Sequence, residues 1–144
     1  MTLLSGRAAE DPASVRLFAD TWEGAWNAHD PDAVAALCAE DVAFDDPALG
    51  ETVYGRESIR KFATRLVRNY PDYRFGPEGV YADVSRRAVV VGWYFTGTLS
   101  GTDRVIAYHG DDRLTIGDDG LVVAYRCLYD NADVLNQVRS ARSG

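Results

Sequence analysis

The stretch AVVVGWYFTGTLS at Ala88–Ser100, followed after Gly101-Thr102-Asp103 by RVIAYHGDDRLTI at Arg104–Ile116, decides the fold. Its apolar residues recur at alternate positions, the period of a half-buried strand. Further strands are expected at Tyr73–Phe75, Gly79–Ser85 and Leu121–Tyr129. Ser85-Arg86-Arg87 and Gly117-Asp118-Asp119-Gly120 supply the other turns. Toward the N-terminus the period becomes helical. From Ser14 onward, Val15, Phe18, Trp22, Ala25 and Trp26 form one stripe, and Ile59, Phe62, Ala63, Leu66 and Val67 form another that Pro71 ends. Between them lies a short helix bearing Val34, Leu37 and Cys38, with Asp30 as its cap and Pro31 at its first position. A short strand follows at Asp41–Pro47, then a loop at Ala48–Gly55. The last piece, Asp130–Arg139, reads as a short helix capped by Asp130 or Asn131. Helices first and strands last imply an α+β fold: N-terminal helices packed on a strongly curved, mostly antiparallel sheet that leaves one open end.

With 144 residues, 47% of them hydrophobic and 26% charged, the chain suits one globular domain over 1–144, with residues 1–11 as a loose arm. No internal repeat or Pro/Gly-rich linker divides it. A net charge of −7 disfavours a phosphate-backbone partner, so no nucleic acid is expected. Arg60, Arg65 and Arg68 at helical spacing read as a solvated face. The opening residues are too few and too polar for a signal peptide, and no apolar run reaches membrane-spanning length. A cytoplasmic protein with no membrane partner is the expectation. Cys38 and Cys127 lack ligand spacing and read as buried thiols. No metal or cofactor is implied, since His, Asp and Glu show no ligand spacing either.

Strand parity selects two acids. Phe44 belongs to the core and Asp46 shares its parity, so of Asp45-Asp46-Pro47 it is Asp46 that faces inward. A partly desolvated carboxylate on an apolar wall is a candidate general base. A turn aspartate before proline is the plain alternative. Asp112 shares a face with Leu114 and Ile116 and is inward by the same rule. If kept neutral it can donate a hydrogen bond to a developing enolate oxygen; otherwise it reaches solvent near its strand start. Tyr125, Cys127 and Tyr129 share one face of the last strand, and Trp93 shares one with Phe95. These read as core and dimer-interface residues, or, in a functional reading, Tyr125 and Tyr129 line a hydrophobic cavity. His109 has the opposite parity to Asp112; a bulge at Gly110 would rotate it inward, and otherwise it takes a rim or an interface position. His29 follows a helix end as a turn residue, and Asp130 is a cap.

The stretch Trp26-Asn27-Ala28-His29-Asp30, the run Leu37–Pro47 and the segment Tyr54–Phe62 resemble the ketosteroid isomerase and SnoaL-like branch of the NTF2-like superfamily. So does the ending from Leu114 through the Gly-Asp-Asp-Gly hairpin to Tyr129-Asp130. The resemblance spans roughly Phe18 to Val138. It implies a cone-shaped fold and a small apolar substrate. By that resemblance Asp46 is the proton-shuttling base, Asp112 a protonated acid at the oxyanion, and Trp22 stands where the family has an oxyanion tyrosine. Similar cyclases place a histidine on the long strand; Thr96–Gly101 has none. Tyr54, Phe62, Trp93, His109, Leu114, Tyr125 and Tyr129, together with Trp22, complete the expected substrate contacts. A homodimer through the outer sheet face is also implied.

Three functions remain open on these grounds. The first is a cofactor-independent enzyme that abstracts a proton next to a carbonyl, giving isomerisation or cyclisation of a polyketide- or terpenoid-like substrate. The second is epoxide opening by water held between two aspartates. The third is a ligand-binding module without catalysis.

Overall fold

The computed structural model describes residues 11–144. The arm expected over residues 1–11 lies outside that range except for Asp11, which belongs to the first helix as its cap. Its carboxylate accepts from the Ala13 N–H, ahead of α1 (Pro12–Asn27). Asp30 caps α2 (Pro31–Ala36) in the same way, accepting from Asp32 and Ala33. β1 (Cys38–Asp45) starts earlier than its alternation suggests. The expected loop after it contains a two-residue strand, β2 (Val53–Tyr54). α3 (Arg56–Asn69) begins at Gly55, whose φ of 91° is a conformation glycine adopts without strain.

The remaining strands are β3 (Arg74–Asp83), β4 (Ala88–Thr98), β5 (Val105–Ile116) and β6 (Val122–Tyr129), followed by α4 (Asn131–Ser143). The two pieces expected at Tyr73–Phe75 and Gly79–Ser85 are one strand. A register shift between Pro77 and Gly79 absorbs the residues that had read as a break. The final helix runs to Ser143, beyond the expected Arg139.

The sheet order is β2-β1-β6-β5-β4-β3. All neighbours are antiparallel except β1 and β6, so the sheet is mixed. This is the α+β architecture that the pattern of helices then strands implies.

α1 buries Val15, Phe18, Ala19, Trp22 and Trp26. Burying each large aromatic contributes about 2–3 kcal/mol before entropy is counted. The register of α1 on the sheet is fixed by Asn27. Its amide donates to the Phe75 carbonyl at 2.9 Å and accepts from the Phe75 N–H at 2.7 Å, reproducing a strand neighbour's pairing. Tyr73 reinforces the joint by donating its hydroxyl to the Trp26 carbonyl. His29, in the left-handed turn after α1, bonds the Tyr73 carbonyl through Nε2. These contacts hold the helix so that the indoles of Trp22 and Trp26 lie over the middle of the sheet.

Candidate active site

Three adjacent strands build the site. On β5, Asp112 is paired in register with Cys127 of β6. On the other side of β6, Asp45 of β1 is paired with Arg126. Asp46, the next residue, therefore stands beside Cys127, and Asp46, Cys127 and Asp112 form a row across the sheet's inner face. Among the described residues, Asp46 and Asp112 are the two acidic side chains buried in the core, at 6% and 4% exposure. Asp45 points outward as parity requires, meeting Thr52 and Arg126.

The two carboxylates differ in their partners. Asp46 Oδ1 accepts from the Tyr129 hydroxyl at 2.6 Å and from the Ala48 N–H at 2.8 Å. Burial raises its carboxyl above the usual range. Those two donors, the Cys127 thiol and the Arg65 guanidinium oppose the rise. Asp112 Oδ2 accepts from the Trp22 indole N–H at 2.9 Å. Burial pushes Asp112 up to about 6, against the opposing pull of the Trp22 donor and, after it, of the nearby Trp93, Cys127 and Tyr125 side chains. The Cys127 thiol faces both acids. Burial and the two nearby carboxylates push it well above the ordinary thiol value, so it stays a thiol and not a thiolate nucleophile.

Asp46 and Asp112 line one cavity of about 30 Å³ with Trp26, Phe62, Leu66, Phe75, Trp93, Tyr108, Tyr125, Cys127 and Tyr129. That is room for one or two water molecules. Four buried polar atoms among the described residues have no hydrogen-bond partner, and all four belong to this lining: Trp26 Nε1, Trp93 Nε1, Asp46 Oδ2 and Asp112 Oδ1. They are two donors and two acceptors. A wider cleft of about 250 Å³ adjoins the cavity and shares Phe62, Leu66, Tyr108 and Tyr129 with it. α4 forms one wall of this cleft through Val134, Leu135 and Val138.

Of the residues singled out from the sequence, Asp46, Asp112, Phe62, Trp93, Tyr125 and Tyr129 meet at the cavity. Trp22 stands behind Asp112, with its donor spent on that acid. Leu114 is fully buried beside Tyr125 but does not line the cavity. Tyr54 is 68% exposed on β2 and lies away from it. His109 also lies outside. The β4–β5 ladder runs unbroken from Ala88 to Thr98, so no bulge rotates it, and it stays on the outer face against Tyr94 and Glu78. Gly110 serves instead to admit an indole: a Cβ there would stand 2.3 Å from Trp93.

Trp26, Leu66, Phe75, Tyr108 and Cys127 are further lining residues. Tyr108 shares the parity of Asp112, and Cys127 that of Tyr125 and Tyr129, so alternation carried a signal for both. Among the described residues, no three His, Cys, Asp or Glu side chains gather as a metal site. No helix there is long and apolar enough to cross a membrane.

A family model described as a SnoaL-like domain matches residues 16–125. No curated protein matches the chain. Among solved structures, a putative polyketide cyclase from Xanthomonas campestris pv. campestris is 22% identical with a TM-score of 0.77, over 93% of this chain and 99% of that one. SalBIII, an epoxide hydrolase/cyclase-like enzyme in pyran ring formation in polyether salinomycin, is 18% identical with a TM-score of 0.75, over 86% and 96%. A hypothetical protein from Catenulispora acidiphila DSM 44928, of ketosteroid isomerase-like fold and in complex with trimethylamine, is 23% identical with a TM-score of 0.72, over 81% and 88%. At these identities the likeness concerns the fold. The family match spans most of the chain, and the chain belongs to the SnoaL-like family, with a fold shared with the ketosteroid isomerase-like structure above.

Proposed function

We propose that this protein is an acid–base enzyme for a small, largely apolar carbonyl compound, working without a cofactor. The observation that carries the reading is the pairing, in one cavity, of two buried acids with different partners. Asp46 accepts two hydrogen bonds, from the Tyr129 hydroxyl and the Ala48 N–H, and the Cys127 thiol and the Arg65 field also favour its ionised form. It loses its proton first and serves as the base through the free Oδ2. Asp112 keeps its proton up to about pH 6 and, while protonated, donates to the carbonyl oxygen as negative charge develops there.

In isomerisation, Asp46 takes a proton from the carbon next to the carbonyl and returns it farther along the conjugated system. In cyclisation, the enolate carbon attacks a second carbonyl and the resulting alkoxide takes up the proton. The indole N–H groups of Trp26 and Trp93, unpartnered in the lining, are the remaining donors for the oxygen. The resting cavity admits a small group, so a substrate ring enters by displacing Phe62, Leu66, Tyr108 or Tyr129, the side chains shared with the outer cleft. A homodimer through the outer sheet face fits the exposed Tyr94, Val123 and Leu128 on β4 and β6.

The test uses bicyclic ketones such as 2-tetralone that the protein is first shown to bind. Loss of the α-proton in deuterium oxide is followed by NMR. The wild-type chain accelerates exchange and Asp46→Asn returns it to the buffer rate. A bound ketone that exchanges no faster than in buffer, or equally fast with Asp46→Asn, overturns the reading in favour of a binding module.

One observation favours a second reading: a cavity of water size between two carboxylates also suits epoxide opening, with water as the nucleophile. Incorporation of heavy oxygen from labelled water into a diol separates it from proton transfer.

A further inference from the structure

The outer cleft has a composition unlike the rest of the chain. The protein carries 22 Asp and Glu against 15 Lys and Arg. Among the described residues no carboxylate lines this cleft; its charged residues are Arg65 and Arg142, and Asn69 and Asn131 add two carboxamides. The remaining wall is apolar or aromatic, with Leu49, Leu66, Leu99, Val134 and Val138 among it. Arg65 belongs to α3 and Arg142 to α4, so two separate elements bring cations to one opening. Neither guanidinium makes an ion pair among the described residues; Arg16, Arg68, Arg74, Arg113 and Arg139 make none either, and what sets Arg65 and Arg142 apart is that both border this cleft. Arg65 and Arg68 had read alike as solvated; the fold separates them, since Arg65 borders the cleft that shares Phe62 and Leu66 with the reactive cavity and Arg68 does not. Two unpaired cations beside an apolar wall complement an amphipathic anion.

From this arrangement we infer that the outer cleft is an anion-binding subsite, and that the ligand of this protein is an amphipathic molecule with an apolar ring toward Asp46 and Asp112 and a carboxylate or similar anionic group held by Arg65 and Arg142. The inference rests on the proposed function only in naming the far end of the same ligand. Its test reads binding and not turnover, so the two fail separately. Recognition at the cleft also explains how an acidic protein accepts an anion: the attraction is local, within a Debye length of the opening, while the overall charge repels.

The experiment compares two fluorescent probes with one aromatic framework, the anionic 1-anilinonaphthalene-8-sulfonate and the neutral N-phenyl-1-naphthylamine. Each is titrated into the full chain at low salt. The anionic probe is expected to bind about tenfold more tightly than the neutral one, the size of one modest charge-assisted contact. Arg65→Met with Arg142→Met removes that preference and leaves the neutral probe's affinity unchanged. Lys61→Met with Arg68→Met deletes the same charge from α3 outside the cleft and keeps the preference. Equal affinity for the two probes in the wild-type chain overturns the inference, as does equal loss in both double variants. If the Arg65/Arg142 variant melts early, the single variants Arg65→Lys and Arg142→Lys, which keep charge but lose the guanidinium fork, carry the comparison. Each then retains most of the preference, and its complete loss in both contradicts a charge-based subsite.

Discussion

Asp46 and Asp112 face one cavity from either side of β6, with the Cys127 thiol between them. Their Cα atoms are separated by two strand spacings, about 10 Å, and their side chains converge on the space between. The pair differs in what holds each acid: a hydroxyl and a backbone N–H on Asp46, an indole N–H on Asp112.

The first consequence concerns stability. The folded chain holds Asp112 near 6 against 3.8 for an unperturbed carboxyl. A raised acid binds its proton more tightly folded than unfolded, so its burial destabilises the fold progressively from pH 3.8 to about 6 and fully above that. Asp112→Asn keeps an oxygen for the Trp22 donor and removes the charge. It is expected to stabilise the protein at pH 8 by up to about 3 kcal/mol, with the gain shrinking toward pH 4. Urea denaturation at the two pH values measures this; a gain that grows on acidification contradicts it.

Activity should follow a bell in pH. Its rising limb is the ionisation of Asp46 and its falling limb, near pH 6, is loss of the Asp112 proton. Asp46→Asn costs about 10²–10⁴ in rate, the usual worth of a positioned base. Trp22→Phe removes the donor that stabilises the Asp112 carboxylate, so the falling limb moves upward by about one pH unit. A downward move shows that the Trp22 contact favours the acid's neutral form instead.

Gly110 predicts a packing effect. Its missing side chain leaves room for the Trp93 ring, and an added Cβ would meet Trp93 at 2.3 Å and the Leu128 carbonyl at 2.8 Å. Gly110→Ala must displace the indole, at about 1–3 kcal/mol of stability. Tryptophan fluorescence and a chemical melt report both changes. An unchanged melt shows that the indole yields without strain.

Asn27 predicts a joint effect. Asn27→Ala strips the Phe75 N–H and carbonyl of their helix-side partner. About 2 kcal/mol should be lost, with faster amide exchange at Phe75 than elsewhere on β3. Protection at Phe75 equal to the wild type rules out the anchoring role.

Alternation was enough to place Asp46 and Asp112 on the inner face, because a parity rule survives even when strand ends shift. It failed where topology decides. The pairing of β1 with β6, which brings Asp46 beside Cys127, joins residues more than eighty positions apart and has no local signature. His109 needed a bulge that the β4–β5 ladder does not contain. Tyr54 carried the family pattern, but it sits on a two-residue edge strand whose side chain meets solvent. The cleft under α4 was illegible for a similar reason: Arg65 and Arg142 become neighbours of one opening only after α3 and α4 are docked.

The central claim is that one aspartate of this pair keeps its proton toward neutral pH while the other gives it up sooner. Carbon-13 NMR of the aspartate carboxyls, titrated in the wild-type chain and in Asp112→Asn, measures it directly. The account predicts one carboxyl titrating near 6 that disappears in the variant. Every aspartate titrating in the ordinary carboxylate range would contradict it.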